Sequence, residues 1–219
     1  MKTVTLSTLQ AYKRAGETFS CLTAYDASFA HAASAAGIDV LLVGDSLGMV
    51  LQGHSSTLPV TIDDICYHTR CAARGKGHSL LMVDLPFMSN ATTERLLEDG
   101  AALMRAGAEL VKVEGEAWMA DGIHELTRRG VPVCAHLGLT PQTVYQLGGY
   151  KVQGREAEQA EKIINDAKVL VEAGASVILL ECVPASLGKA VTEALDVPVI
   201  GIGAGPDTDG QILVMHDVL

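Results

Sequence analysis

The sequence predicts a closed (β/α)8 (TIM) barrel, and three observations predict it. Eight short apolar runs recur along the 219 residues, each of strand length and rich in Val, Leu and Ile. The segments between them carry helical spacing, so strand and helix alternate, which gives parallel strands joined by crossover helices. Three stretches also repeat one pattern. AAGIDVLLVGD, RAGAELVKVEG and EAGASVILLEC each run Ala-Gly, apolar strand, then an acidic residue near the strand end. Such near-equivalent units build this kind of barrel. An open doubly wound sheet is the competing arrangement, and eight runs favour closure.

In chain order the runs are FSCLTAY, DVLLVGD, SLLMVDLP, ELVKVEG, VPVCAHLG, SVILLEC, PVIGIGA and QILVMHD. The clearest linking helix is EQAEKIINDAKVLVEAG, where Ala160, Ile163, Ile164, Ala167, Leu170 and Val171 fall on one face. Gly174 follows as the residue beyond its C-cap. The expectation is a single barrel domain over residues 1–219, ending at or just after the eighth strand without an eighth helix. Either the sequence is C-terminally truncated or another subunit covers that flank.

Composition bounds the function. At 48% hydrophobic residues the chain can bury a sizeable core, and at 4% aromatic that core is mostly aliphatic. A net charge of −10 argues against a general partner for nucleic acid or acidic membrane, since both attract basic patches. A small anionic substrate stays open, because one lysine or metal outweighs distant surface charge. MKTVTLSTLQAYKRAG has no apolar core of the signal-peptide kind, and no segment reaches the roughly 18–20 apolar residues of a membrane span. Five cysteines, odd in number and without a CxxC pair, read as reduced and mostly buried thiols of a cytoplasmic protein.

A parallel barrel places its active site at the C-terminal ends of the strands. Those ends carry Asp45 and Ser46, Asp84, Lys112 and Glu114, His136, and Glu181. Lys112 and Glu114 sit two apart in ELVKVEGE and so face the same side of a strand. They either form a salt bridge with each other or hold something. Taken singly, an acid at a strand end often caps the next helix. Several carboxylates converging on one mouth repel one another and need a cation. Asp45, Asp84 and Glu114 suit a hard, oxygen-preferring ion such as Mg2+, and His136 leaves zinc open. GIGAG departs from GxGxxG and reads as a turn after the seventh strand, where such barrels bind phosphate or pack backbone closely. Two glycine-rich loops add His54, Gln142, Tyr150 and Lys151 as candidates to touch substrate.

The stretches LLVGDSLGMVLQGHSSTLPVT, DLPFMS, MRAGAELVKVEG, VPVCAHLGLTPQ, GGYKVQGR, ECVP and PVIGIGAG with TDGQILVMHD resemble the ketopantoate hydroxymethyltransferase family. This is a (β/α)8 family of the phosphoenolpyruvate/pyruvate barrel type, usually assembled as a homodecamer. The resemblance implies a Mg2+-dependent transferase of pantothenate biosynthesis. It would move a hydroxymethyl unit from 5,10-methylenetetrahydrofolate to 3-methyl-2-oxobutanoate through an enolate, giving ketopantoate. It implies metal acids at Asp45, Asp84 and Glu114, and keto-acid contacts at Asp45, Ser46, Asp84, Lys112 and His136. It implies a general base at Glu181, with burial raising its basicity. One departure is Ser55, where the family usually has an acid or amide; a second is the continuation of the family past the end of this chain. Two other readings remain: a carbon–carbon lyase or mutase acting on another 2-oxo acid, and a non-catalytic barrel.

Overall fold

The computed structural model describes residues 2–219. Eight strands close into one parallel barrel in sequence order, β1 to β8, with β8 beside β1. They are β1 (Phe19–Thr23), β2 (Val40–Val43), β3 (Leu80–Asp84), β4 (Leu110–Glu114), β5 (Val133–Gly138), β6 (Val177–Glu181), β7 (Val199–Ile202) and β8 (Gly210–Leu213). The expected closed barrel is therefore what the chain forms. The eighth strand is shorter than the run QILVMHD, because Met215–Val218 turn into one helical turn.

Helices α1 (Leu6–Ala15), α2 (Ala27–Ala35), α4 (Ile62–Gly75), α5 (Thr93–Ala106), α6 (Ala120–Thr127), α8 (Ala157–Glu172) and α9 (Ala185–Ala194) are the longer ones. One-turn helices α3 (Leu47–Val50), α7 (Val144–Leu147) and α10 (Met215–Val218) sit among the loops and at the end. Their starts are written locally. Thr61 and Asp64 form a reciprocal capping box at α4, and the Asp26 side chain accepts the Phe29 N–H at α2. Each such cap is worth about 1 kcal/mol. Gly174 does follow the α8 cap, in the left-handed region at φ 116°.

Strand alternation produces two cores. Val111, Val113, Leu81, Val83, Ala135, Ile178 and Leu180 pack outward against the helices. Leu42, Met82, Leu110, Cys134, Leu179, Ile200 and Ile212 pack inward on one another. Val4 and Leu9 join this inner set, so the N-terminal segment with α1 closes the barrel floor. The Lys13 ammonium pins it there, 2.9 Å from Asp209. The inward positions continue past the inner core to the other end of the barrel. Above Met82 stands Asp84, above Leu110 stand Lys112 and Glu114, above Cys134 stands His136, and above Leu179 stands Glu181. All five lie on the inner face.

Candidate active site

Register decides which of these groups meet. β3 and β4 pair so that Asp84 lies opposite Lys112, and β4 and β5 so that Glu114 lies opposite His136. Lys112 Nζ accordingly stands 2.8 Å from Asp84 Oδ1 and 3.3 Å from His136 Nδ1. Glu114 Oε1 lies 3.4 Å from His136 Nδ1, and His136 Nε2 lies 3.3 Å from Glu181 Oε2. The Lys112–Glu114 salt bridge considered from the sequence is thus replaced by two pairs across neighbouring strands. Two residues on one side of one strand are about 7 Å apart along it, whereas a cross-strand neighbour is about 5 Å away.

Asp45 and Ser46 sit just beyond β2, in the turn leading to α3. The Asp45 N–H donates to Asp84 Oδ2 at 3.0 Å, tying that turn to β3. The Ser46 hydroxyl and the buried Tyr25 hydroxyl are 2.9 Å apart. Gln142, on the turn after β5, donates from Nε2 to Asp45 Oδ2 at 2.8 Å and from its backbone N–H to Glu114 Oε2 at 3.0 Å.

Electrostatics follow from burial and crowding. Burial, then the Asp84 and Glu114 charges, push the Asp45 carboxyl well above the ordinary range. Burial also raises Asp84, with Lys112 opposing. Burial works against ionised Glu114 as well, yet His136 and Lys112 outweigh it and hold the group low. Lys112 is likewise disfavoured by burial, but Asp84, Glu114 and Asp45 keep it firmly charged. For His136, burial and the Lys112 charge pull down while Glu114 and Glu181 push up, and the carboxylates prevail at about 9. At neutral pH it is an imidazolium.

The charge balance is uneven. Asp45, Asp84, Glu114 and Glu181, with the exposed Asp217 at the edge, face two cations, Lys112 and His136. Asp84 Oδ1, Glu114 Oε1 and His136 Nε2 are buried without a hydrogen-bond partner, their charged neighbours being close but badly aligned. Among the described residues no three acidic, His or Cys side chains converge into a ready metal shell. The donor set nevertheless fits a hard dication: several carboxylates, oxygen donors, and two buried carboxylate oxygens that no aligned hydrogen bond satisfies.

These groups line one side of a cavity of about 240 Å³ at the barrel mouth. Leu179, Ile202 and Ile212 of β6 to β8 line the other, Leu42 of β2 adds an apolar side chain below Asp45, and the half-exposed Tyr150 also lines the cavity. The apolar wall was legible in principle, since Leu179 lies two residues before Glu181 and shares its face. Tyr25 carried no motif to announce it. His54 and Lys151 are exposed and line neither this cavity nor the larger one beside it. Glu181 is less buried than expected, its side chain 23% exposed. Cys21, Cys66 and Cys134 are buried free thiols as expected, while Cys71 and Cys182 are partly exposed. No helix of the described residues is long and apolar enough to cross a membrane.

Together these features describe a (β/α)8 barrel enzyme with its ionisable groups gathered at the C-terminal rim. A crystal structure of phosphonopyruvate hydrolase with oxalate and Mg++ has the same fold. Its TM-score is 0.75 at 15% identity, over 99% of this chain and 82% of that one. 2,3-Dimethylmalate lyase, of the PEP mutase/isocitrate lyase superfamily, gives 0.69 at 16% identity, over 97% and 81%. Identity so low establishes the fold alone. The model of the ketopantoate hydroxymethyltransferase family matches residues 3–219. A 3-methyl-2-oxobutanoate hydroxymethyltransferase from Chromohalobacter salexigens is 78% identical over 219 residues, covering 100% of this chain and 83% of that protein. One from Shewanella halifaxensis is 63% identical over the same shares. The chain belongs to the ketopantoate hydroxymethyltransferase family.

Proposed function

We propose that this rim transfers a hydroxymethyl group from 5,10-methylenetetrahydrofolate to 3-methyl-2-oxobutanoate, giving ketopantoate for pantothenate synthesis. The observation that carries the reading is the convergence of Asp45, Asp84, Lys112, Glu114, His136 and Glu181 on one cavity in a chain of this family. The same reading takes the chain as one barrel domain of a cytoplasmic homo-oligomer, a decamer by family likeness.

The chemical difficulty is removing a proton from a carbon beside a ketone. Asp45, Asp84 and Glu114 are the residues that would hold Mg2+, which when bound supplies Lewis-acid polarisation of the keto group. Lys112 presents a fixed positive charge to the substrate's anionic oxygens, and Asp84 at 2.8 Å keeps it aimed. Ser46, held by Tyr25, offers a hydroxyl donor, and the His136 imidazolium orients Glu181. Glu181 takes the C3 proton as general base. Its place at the junction of the charged and apolar walls sets it beside that carbon when the two methyl groups lie on Leu179, Ile202 and Ile212. The C3 carbon then forms its new bond to the transferred methylene, and the methylene leaves the folate nitrogens. One water balances the transfer: its oxygen becomes the hydroxyl, while one of its protons and the C3 proton end on those nitrogens.

The test is NMR-detected exchange of the C3 proton of 3-methyl-2-oxobutanoate for deuterium, with and without Mg2+ and with the folate present. Metal-dependent exchange followed by ketopantoate formation supports the reading. Turnover of pyruvate-derived acids in place of the branched keto acid overturns it.

A further inference from the structure

Gln142 stands outside the set of acids, lysine, imidazole and base used above, yet it is nine-tenths buried among them. Its side-chain nitrogen lies 2.8 Å from Asp45 Oδ2 and 2.9 Å from the Leu85 carbonyl oxygen. Both neighbours are acceptors, so the amide must turn its NH2 toward them and both of its protons are used. Its backbone N–H donates to Glu114 Oε2 at 3.0 Å. One residue of the β5 turn therefore holds a carboxylate from beyond β2 and another from the end of β4.

The turn that delivers it is built for the purpose. Gly138 adopts φ 90°, and a Cβ there would collide with the Glu181 carbonyl oxygen, so the chain passes close over the end of β6. The Leu139 N–H donates to that same carbonyl at 2.8 Å. Pro141 then opens a single turn of 3-10 helix, braced by the Thr140 and Thr143 hydroxyls. Buried amides are costly unless satisfied; here the side-chain amide is satisfied by Asp45 and the Leu85 carbonyl, and the backbone N–H by Glu114.

We infer that Gln142 is a positioning residue that fixes the separation of the Asp45 and Glu114 carboxylates and so sets affinity for the divalent cation. This inference rests on the metal reading of the rim given above. Partners of ligating groups commonly account for about 10–100-fold in metal affinity, and loss of one side-chain donor belongs near the lower end. The first variant is Gln142→Met, which keeps length and the backbone N–H while losing both side-chain donors.

Mn2+ binding to the whole protein is read by electron paramagnetic resonance, alongside the melting temperature. Gln142→Met is expected to weaken Mn2+ binding about tenfold; it also lowers melting, because Asp45 Oδ2 and the Leu85 carbonyl lose their donor, so the metal readout is the deciding one. In turnover, the Mg2+ concentration for half-maximal rate rises to match, while kcat and the keto-acid KM at saturating Mg2+ stay near wild type. A residue that merely filled space would move melting and leave the metal dependence alone. If Gln142→Met does not fold, Gln142→Asn, with its amide one methylene short, takes its place with the same expectation. Unchanged Mn2+ affinity in the variant overturns the inference alone. Absence of Mn2+ binding in the wild type overturns the metal reading and the inference with it.

Discussion

The two halves of the barrel mouth are made of the same repeating unit and carry opposite chemistry. Strands β2 to β5 end in Asp45, Asp84, Lys112, Glu114 and His136, all nearly fully buried. Strands β6 to β8 line the same cavity with Leu179, Ile202 and Ile212, and Glu181 is the ionisable group these strands themselves contribute, with Asp217 beyond β8 exposed at the edge. Under the proposed function, the difference would separate binding from chemistry. A 2-oxo acid is charged at one end and aliphatic at the other, and the cavity is divided in the same way. The group expected to move a proton sits at the division, partly open to solvent, while the groups expected to hold charge are sealed in and cross-linked.

The sharpest way to break this comparison is at its boundary. Glu181→Gln should lower turnover by about 10²–10⁴-fold, while Mg2+ and keto-acid binding, measured calorimetrically, persist. Near-normal turnover would remove Glu181 as the base and with it the division of labour.

Within the charged half, Lys112→Met leaves Asp84, Asp45 and Glu114 without their shared cation. Breaking a buried pair from one side costs about 3–5 kcal/mol, so chemical denaturation should register a loss of that order and keto-acid affinity should fall with it. A variant with reduced keto-acid affinity and unaltered stability would mean that substrate, rather than Asp84, is the lysine's main partner.

The apolar half is tested by selectivity. Ile212→Ala widens the wall, and a methylene in an apolar pocket is worth about 1–3 kcal/mol. The ratio of kcat/KM for 3-methyl-2-oxopentanoate over 3-methyl-2-oxobutanoate should therefore rise at least about tenfold. An unchanged ratio would place the aliphatic end elsewhere.

The smallest expected effect sharpens the charge imbalance. Asp45 is raised in the folded chain above its ordinary 3.8. It therefore contributes stability below that value and loses it as pH rises through the folded value. His136, raised from 6.5 to about 9, contributes fully below 6.5 and loses it as pH passes 9. Glu114 runs the other way, but only as pH falls below its ordinary 4.5. Metal-free protein should accordingly melt lower at pH 9 than at pH 6. Mg2+, which needs ionised Asp45, should raise the melting temperature more at pH 8 than at pH 5. A difference of about 2–4 °C corresponds to 1 kcal/mol in a chain of this size. A Mg2+ effect independent of pH would argue against Asp45 as its ligand.

Much of this architecture is written in period two. Alternation along ELVKVEGE puts Lys112 and Glu114 on one face, and both do point inward. Alternation says nothing of register, which is why the partners of those residues, Asp84 and His136, come from the strands on either side. The loop after β5 shows the same limit. Gln142 reads from the sequence as a residue for substrate, because loop position signals access. Its actual contacts depend on a glycine crossing, a threonine brace and two carboxylates distant along the chain. Tyr25, behind Ser46, was hidden for the same reason. The family motifs marked the rim residues; packing alone assigned their neighbours.

The close crossing at Gly138 has one more consequence. Leu139 hangs from the main-chain oxygen of Glu181, and three residues later the same turn grips Asp45 and Glu114. The proposed proton acceptor and the acids are thus tied through one short turn of hydrogen bonds. A change at the end of β6 is therefore expected to alter the spacing of the acids. Attempts to retune this mouth by changing one strand end at a time will meet that coupling, and paired changes on the β5 turn and β6 are the natural unit of redesign.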